Sequence, residues 1–299
     1  MKKQKRVNKT AKKKEAPAIK PYMLAIAMTV TASSIFIAVL YPKKPYSVFA
    51  PSDDFISLKS MNISCSNDYH KSTVFPGCTP TLVCGRHVID GMVTAEEVDI
   101  LLSIVKRALK HGESDGGASI LDLHSGALSK GRKFVNIYKY LDKNELFKIF
   151  PVDHLKLFVA VKNRIHKAIS EQFGIHPNKL FLTKPTFFSR MTSAPAQTQH
   201  DEYWHTHIDK IQYGSFDYTS LLYLSNYKKE FVGGRFIFDD TSGNVTVEPK
   251  LGRISFFTSG SENPHHVEKV TKGTRFALTI SFSCDPKEAI KDPVLLDMI

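Results

Sequence analysis

The sequence has only four cysteines, Cys65, Cys78, Cys84 and Cys284, and no two of them form a CxxC pair, which excludes a zinc ribbon. No internal repeat runs along the chain. The DxD-type metal motif of a glycosyltransferase is also missing, because Asp53-Asp54 and Asp239-Asp240 are poor matches to it. Excess positive charge is absent where a nucleic-acid surface would need it. The net charge is +12, but nine of the 41 Lys and Arg and one of the 29 acids fall in residues 1–20, leaving 32 bases against 28 acids elsewhere. The basicity is a tail and the body is near neutral, so nucleic acid is not the expected partner.

Charge disappears altogether over residues 21–41, PYMLAIAMTVTASSIFIAVLY. As a helix this run spans roughly 30 Å, the hydrocarbon thickness of a bilayer. Tyr22 and Tyr41 sit near its ends, where amphipathic rings favour the interface. A signal peptide has an apolar stretch of only about 7–15 residues, and a buried core helix would not follow a polybasic run directly. The expectation is a single-pass type II anchor over 21–41, with the tail over 1–20 in the cytosol and the remainder in the lumen. All four cysteines follow the anchor, in a compartment where disulfides form; Cys78–Cys84 is the pairing that proximity suggests. Asn62-Ile63-Ser64 and Asn244-Val245-Thr246 match the glycosylation acceptor pattern, while Asn8-Lys9-Thr10 faces the cytosol and stays bare. The C-terminal VLLDMI is no KDEL-type signal, so endoplasmic reticulum and Golgi both stay open.

At 299 residues, 42% hydrophobic and 23% charged, the chain has core enough for a globular enzyme. Residues 42–85 read as a lumenal stem, mixing Pro, Ser, Asn and cysteine without sustained periodicity. Residues 86–178 read as a helical supporting region. Thr94 and Glu97 form a capping box, followed by Val98, Leu101, Leu102, Val105 and Leu109 at helical spacing, and Gly112 as a stop. A second helix spans about 153–173. Residues 179–287 change to about eight short strand-like segments, and 288–299 form a C-terminal tail. Helices followed by strands make an α+β chain, a β-sandwich or jelly roll braced by helices.

The chemistry lies in the strand-rich part. His207-Ile208-Asp209 puts an imidazole and a carboxylate two residues apart, on the same face of an extended segment. Some fifty-odd residues on, ENPHHV offers a third ligand in His265 or His266. Two histidines and one carboxylate on one face of an iron leave open positions, the arrangement of non-haem Fe(II) oxygenases. Ten residues past His265, Arg275 opens the strand RFALTISFS. Arg275, Ala277, Thr279, Ser281 and Ser283 share one face of it, with room for a ligand whose carboxylate the guanidinium can grip. Phe276, Leu278, Ile280 and Phe282 share the other.

The stretch from about 183 to 285 resembles the catalytic domain of the prolyl-hydroxylase branch of the 2-oxoglutarate- and Fe(II)-dependent oxygenases, the procollagen prolyl 3- and 4-hydroxylases in particular. The matching pieces are YTSLLYLSNYKKEFVGGRFIF (218–238), Pro249 with LGRISFF (251–257), and SGSENPHHVEKVTKGTRFALTISF (259–282). The last carries the family's His, then Val two later, Gly eight later and Arg ten later, on His265, Val267, Gly273 and Arg275. The resemblance thereby implies His207, Asp209 and His265 as the catalytic iron ligands, with Arg275 for the cosubstrate. It implies a double-stranded β-helix (jelly-roll) core, with Fe(II), 2-oxoglutarate and O2 as cofactor and cosubstrates, and it admits ascorbate. The implied activity is hydroxylation of a lumenal protein or peptide. The alternative is a catalytically inactive lumenal binding module that keeps the fold. One departure stands out: the Tyr that many members place three residues before the HxD histidine is Trp204 here, with Tyr203 beside it. His205 lies on the same side as His207 and could be a ligand or a support for one. Neither the substrate nor the oligomeric state is legible.

Overall fold

The computed structural model describes residues 46–71 and 73–298. The basic tail over 1–20 and the expected anchor over 21–41 lie outside these described residues, and among the described residues no helix is long and apolar enough to cross a membrane.

Fourteen strands are described: β1 (Tyr46–Ala50), β2 (Lys59–Ile63), β3 (Cys84–Ile89), β4 (Ala118–Leu121), β5 (Ala127–Lys130), β6 (Lys133–Asn136), β7 (Phe181–Thr192), β8 (Tyr218–Tyr223), β9 (Phe231–Val232), β10 (Phe236–Phe238), β11 (Asn244–Val247), β12 (Ile254–Thr258), β13 (His265–Val267) and β14 (Lys272–Ser283). The α-helices are α1 (Ala95–Ala108), α2 (Ile137–Tyr140), α3 (Lys143–Ile149), α4 (Val152–Phe173) and α5 (Asp209–Tyr213). The strands form two sheets. The smaller runs β1-β11-β10-β13; the larger runs β2-β3-β12-β8-β14-β7-β4-β5-β6, with β9 pairing β14. Two such sheets facing each other, with helices on the outer face of the larger, make the expected helix-braced jelly roll.

The alternation along β14 separates two cores. Phe276, Leu278, Ile280 and Phe282 join the helices in the outer core; Ala277 joins the inner core with Tyr223, Phe236, Phe257 and Val267. α1 starts where its capping box says it should. Thr94 Oγ1 accepts from the Glu97 N–H at 3.3 Å, and Glu97 Oε2 accepts from the Thr94 N–H at 3.0 Å. Its buried face is Val98, Leu101, Ile104, Val105 and Ala108. α4 buries Leu155, Phe158, Val161, Ile165 and Ile169, and Gly174 at φ 67° ends it in the left-handed conformation.

The segments before the strand-rich part hold more β-structure than the sequence suggests. The described part of 42–85 carries β1, β2 and the start of β3, and 86–178 carries β4 to β6 among its helices. Arg253, wholly buried, explains why β1 and β3 belong to the fold. It pairs with Asp90 through Nε and Nη2 (2.8 and 2.9 Å) and donates to the carbonyls of Ala50, Pro51, Asp54 and Glu248. The suggested Cys78–Cys84 pairing is wrong. The bridges are Cys65–Cys84 and Cys78–Cys284, with Cα–Cα distances of 5.2 and 5.6 Å. β3 carries Cys84 back beside Cys65 at the end of β2, and Cys284 follows the last strand, so spatial neighbours override chain neighbours.

Candidate active site

His207, Asp209 and His265 converge between the two sheets, each offering one ligand atom, with these atoms all within 4.8 Å of one another. Asp209 Oδ1 lies 3.6 Å from His207 Nε2 and 3.7 Å from His265 Nε2. Ile208 is extended (φ −127°, ψ 118°), so His207 and Asp209 leave the chain on one side, as the HxD spacing predicts. The extended stretch ends there, because α5 begins at Asp209 itself. His207 and His265 face each other through two backbone hydrogen bonds of 2.9 and 3.0 Å, which bring residues from distant parts of the chain together.

Both imidazoles are set by a backbone carbonyl two residues earlier. His265 Nδ1 meets the Asn263 carbonyl at 2.8 Å, and His207 Nδ1 meets the His205 carbonyl at 3.1 Å. A carbonyl can only accept, so each Nδ1 carries the proton and each Nε2 keeps its lone pair for a metal. Asp209 Oδ2 accepts from Thr219 Oγ1 at 2.6 Å, leaving Oδ1 toward the histidines, and Thr219 is held in turn by Ser259 Oγ at 2.8 Å. Phe236, Phe238 and Phe257 surround the His265 ring. Burial holds this imidazole neutral, its pKa pushed down to about 4 although the Asp209 carboxylate pulls the other way. Two imidazole nitrogens and one carboxylate oxygen suit a divalent first-row metal.

Arg275 is 1% exposed, and burial lowers its pKa. Nε donates to the Gly234 carbonyl at 2.8 Å, Nη1 reaches only Met191 Sδ at 3.6 Å, and Nη2 has no hydrogen-bond partner among the described residues. The guanidinium lies 5.6 Å from the ring of Tyr223, whose hydroxyl meets Ser255 Oγ at 3.1 Å. Gly234 sits at φ 66°, and a Cβ there would come within 3.0 Å of Arg275 Cδ. A buried cation with an idle nitrogen and no carboxylate partner among the described residues calls for an anionic ligand.

The neighbouring residues take distinct positions. His205 does not join the cluster: its ring is 66% exposed and meets Glu202 at 3.0 Å, so it supports His207 through its backbone alone. Trp204 carries the Lys269 ammonium over its ring at 3.7 Å. Tyr203 packs against the inner core instead; its hydroxyl donates to the Thr192 carbonyl (3.2 Å) and accepts from the Val270 N–H (3.1 Å). Thr219, Asn263 and the Tyr223–Ser255 pair are neighbours of the site that the sequence does not single out. Asn263, two residues before a candidate ligand, is the one of these with a local signal.

Residues 193–283 match the family model described as the 2OG-Fe(II) oxygenase superfamily. The chain is 53% identical over 246 residues to 2-oxoglutarate and iron-dependent oxygenase domain-containing protein 3 of Homo sapiens, a match covering 82% of this chain and 76% of that protein. The chain belongs to the 2OG-Fe(II) oxygenase superfamily. The protein of the same name from Xenopus tropicalis is 52% identical, covering 82% and 77% of the two chains. Prolyl 3-hydroxylase 1 of Mus musculus is 25% identical over 232 residues, covering 71% of this chain and 30% of that one. As a superfamily member, this oxygenase is a 2-oxoglutarate-dependent dioxygenase that uses Fe(II), 2-oxoglutarate and O2.

Proposed function

We propose that this oxygenase is a single-pass type II membrane protein whose catalytic domain faces the lumen of the endoplasmic reticulum or Golgi and hydroxylates a protein or peptide there, with prolyl side chains as the first class to test. In this reading His207, Asp209 and His265 hold Fe(II) through two Nε2 atoms and Oδ1, and Arg275 binds the distal carboxylate of 2-oxoglutarate. The single observation that carries it is the idle Nη2 of wholly buried Arg275, on the inner face of the same pair of sheets as the three ligands.

Fe(II) and 2-oxoglutarate held there would let O2 hydroxylate an unactivated C–H bond, one oxygen atom going to the substrate carbon and the other into succinate as 2-oxoglutarate loses CO2. The protein's own work is positioning. The carbonyls of His205 and Asn263 keep both imidazoles in the Nε2-ligating tautomer, and Thr219 turns Asp209 toward them. Phe236, Phe238, Phe257 and Val267 keep water from the His265 side. A guanidinium with a free edge matches a carboxylate by parallel hydrogen bonds.

Three features support the lumenal assignment. The uncharged run over 21–41 follows a basic tail. Both disulfides need an oxidising compartment. Asn62 is exposed on the edge strand β2, within its sequon. The prolyl class comes from the relative named prolyl 3-hydroxylase 1. Mass spectrometry of secretory-pathway proteins from cells with and without the enzyme should find peptides that gain one oxygen, at proline, only when it is present. An unchanged lumenal set beside newly hydroxylated cytosolic proteins would overturn the proposal.

A further inference from the structure

The loop that delivers His265 is not held by the oxygenase core alone. Between β12 and β13, residues 259–263 are gripped by the N-terminal segments at successive points. The Gly260 N–H donates to Tyr69 Oη at 2.7 Å, the Ser261 N–H donates to Asp68 Oδ2 at 2.7 Å, and Tyr69 Oη donates to Glu262 Oε1 at 2.8 Å. The fourth point is Arg86 on β3. Its Nε donates to Asn263 Oδ1 at 2.6 Å. The residues that grip the loop, Asp68, Tyr69 and Arg86, all lie outside residues 193–283, the extent of the family match.

We propose that Arg86 is a positioning residue for the iron ligand His265, acting through Asn263; the inference rests on the reading that His207, Asp209 and His265 hold Fe(II). Asn263 is wholly buried and fixed at both ends of its amide. Oδ1 accepts from Arg86, while Nδ2 donates to Thr258 O at 2.8 Å and Thr258 Oγ1 at 3.1 Å. A side chain fixed at both ends fixes the peptide it springs from, and the carbonyl of that peptide accepts the His265 Nδ1 proton at 2.8 Å. Rotation of the Asn263 carbonyl would free the imidazole to swing and to change tautomer. Either change removes Nε2 from the metal.

Arg86 is itself fixed with little freedom. It is 1% exposed, its guanidinium lies 3.9 Å from the centroid of the Phe238 ring, and Nη1 and Nη2 grip the two oxygens of Asp240. Burying a guanidinium against a carboxylate that is itself partly exposed is a poor way to stabilise a core, because desolvation of the cation offsets much of the attraction. Specific placement of a neighbouring polar group is what such a pair can add. Two residues before Arg86, Cys84 is tied to Cys65, so β3 is pinned covalently to the segment that carries Asp68 and Tyr69.

The test is anaerobic titration of Fe(II) into the metal-free full chain, comparing wild type with Arg86→Met, Arg86→Lys and Asn263→Ser. All are read below their melting temperatures, where circular dichroism matches wild type. The second readout is the visible charge-transfer band that forms when 2-oxoglutarate is added. Arg86→Met should weaken Fe(II) binding by about ten- to a hundred-fold, the usual cost of losing a support behind a metal-bound histidine, and should shift the band. Arg86→Lys, which keeps the charge but not the fork, should fall between the two. Asn263→Ser removes the receiving oxygen while leaving Arg86 on Asp240, and should reproduce the loss; if Arg86→Met does not fold, the Fe(II) affinity of Asn263→Ser decides the question. A purely structural Arg86 would lower the melting temperature and leave the Fe(II) affinity of the folded protein unchanged. Folded variants that bind Fe(II) as wild type does would therefore overturn the positioning role. A wild type that binds no Fe(II) would overturn the site reading beneath it.

Discussion

His265 and His266 are adjacent in β13 and serve opposite sides of it. His265 is 3% exposed and points at Asp209 Oδ1, whereas the Nδ1 of His266 meets Asp239 Oδ2 at 2.7 Å on the outer side, where Thr206 Oγ1 donates to the same oxygen. Alternation along a strand makes the two residues non-equivalent however alike they look.

Replacing His265 by Ala should therefore bring Fe(II)-dependent 2-oxoglutarate turnover to background. His266→Ala leaves Asp239 with Thr206, should cost about 1 kcal/mol of stability or less, and should keep most of the turnover. Succinate release, measured alongside iron content, checks this. An active His265→Ala variant beside a dead His266→Ala variant would place the ligand on the wrong face of β13.

In the proposed lumenal setting, the sequons at Asn62 and Asn244 should differ in use. Asn62 is exposed on an edge strand. Asn244 sits in β11 between β1 and β10, and its Oδ1 is buried without a partner among the described residues. A glycan there would need this half-buried side chain to turn outward. Glycosidase treatment of the protein from mammalian cells should remove one glycan. The shift should vanish in Asn62→Gln and persist in Asn244→Gln; the reverse pattern would contradict the burial argument.

Stability should fall in mild acid, and His87 should be part of the cause. Its imidazole stacks on Phe256 at 5.0 Å and touches Phe173 edge-on, and burial pushes its pKa down from 6.5 to about 4. The folded-state value is the lower one, so the unfolded chain takes up the proton first as the pH falls. This contribution is intact above about pH 6.5 and is lost progressively toward pH 4. His87→Gln keeps a partner for Ser60 Oγ and cannot be protonated. Urea midpoints of the metal-free protein at about pH 7 and pH 5 should differ less in the variant than in wild type. Part of the difference should survive, because His265 is depressed in the same direction. An unchanged difference would show that His87 is not held neutral by burial.

How much of the molecule is legible in its sequence depends on how local each signal is. α1 is readable because Thr94 and Glu97 answer each other across three residues, and α4 because its apolar positions repeat with a helical period. The faces of β14 follow from simple alternation, which also puts Arg275 on the inner side. The HxD triplet and the His–Gly–Arg spacing point to the site residues before any contact is known. β3 is illegible for a physical reason. CGRHVI is buried on both faces, and its Arg86 and His87 are paired with residues far along the chain, so its polarity reads as a loop. β2, with its exposed Lys59, Ser60 and Asn62, is an edge strand that looks like a linker. The disulfide pairing is hidden because Cys78 and Cys284 are 206 residues apart and only the closed fold brings them together.

In the proposed site, His207, Asp209 and His265 hold iron and Arg275 holds the far carboxylate of 2-oxoglutarate. Anaerobic calorimetric titration of 2-oxoglutarate into the Fe(II)-loaded protein tests it most directly, in wild type, Arg275→Lys and Arg275→Ala. Losing one member of a buried charged pair costs on the order of 3–5 kcal/mol, roughly a hundred- to several-thousand-fold in affinity. Arg275→Ala should show that loss with its iron content unchanged, and Arg275→Lys should show a smaller one. Without cosubstrate, Arg275→Ala should melt close to the wild-type temperature, because the guanidinium it removes has an idle, buried Nη2. Equal 2-oxoglutarate affinity in wild type and Arg275→Ala would rule out Arg275 as the carboxylate's partner.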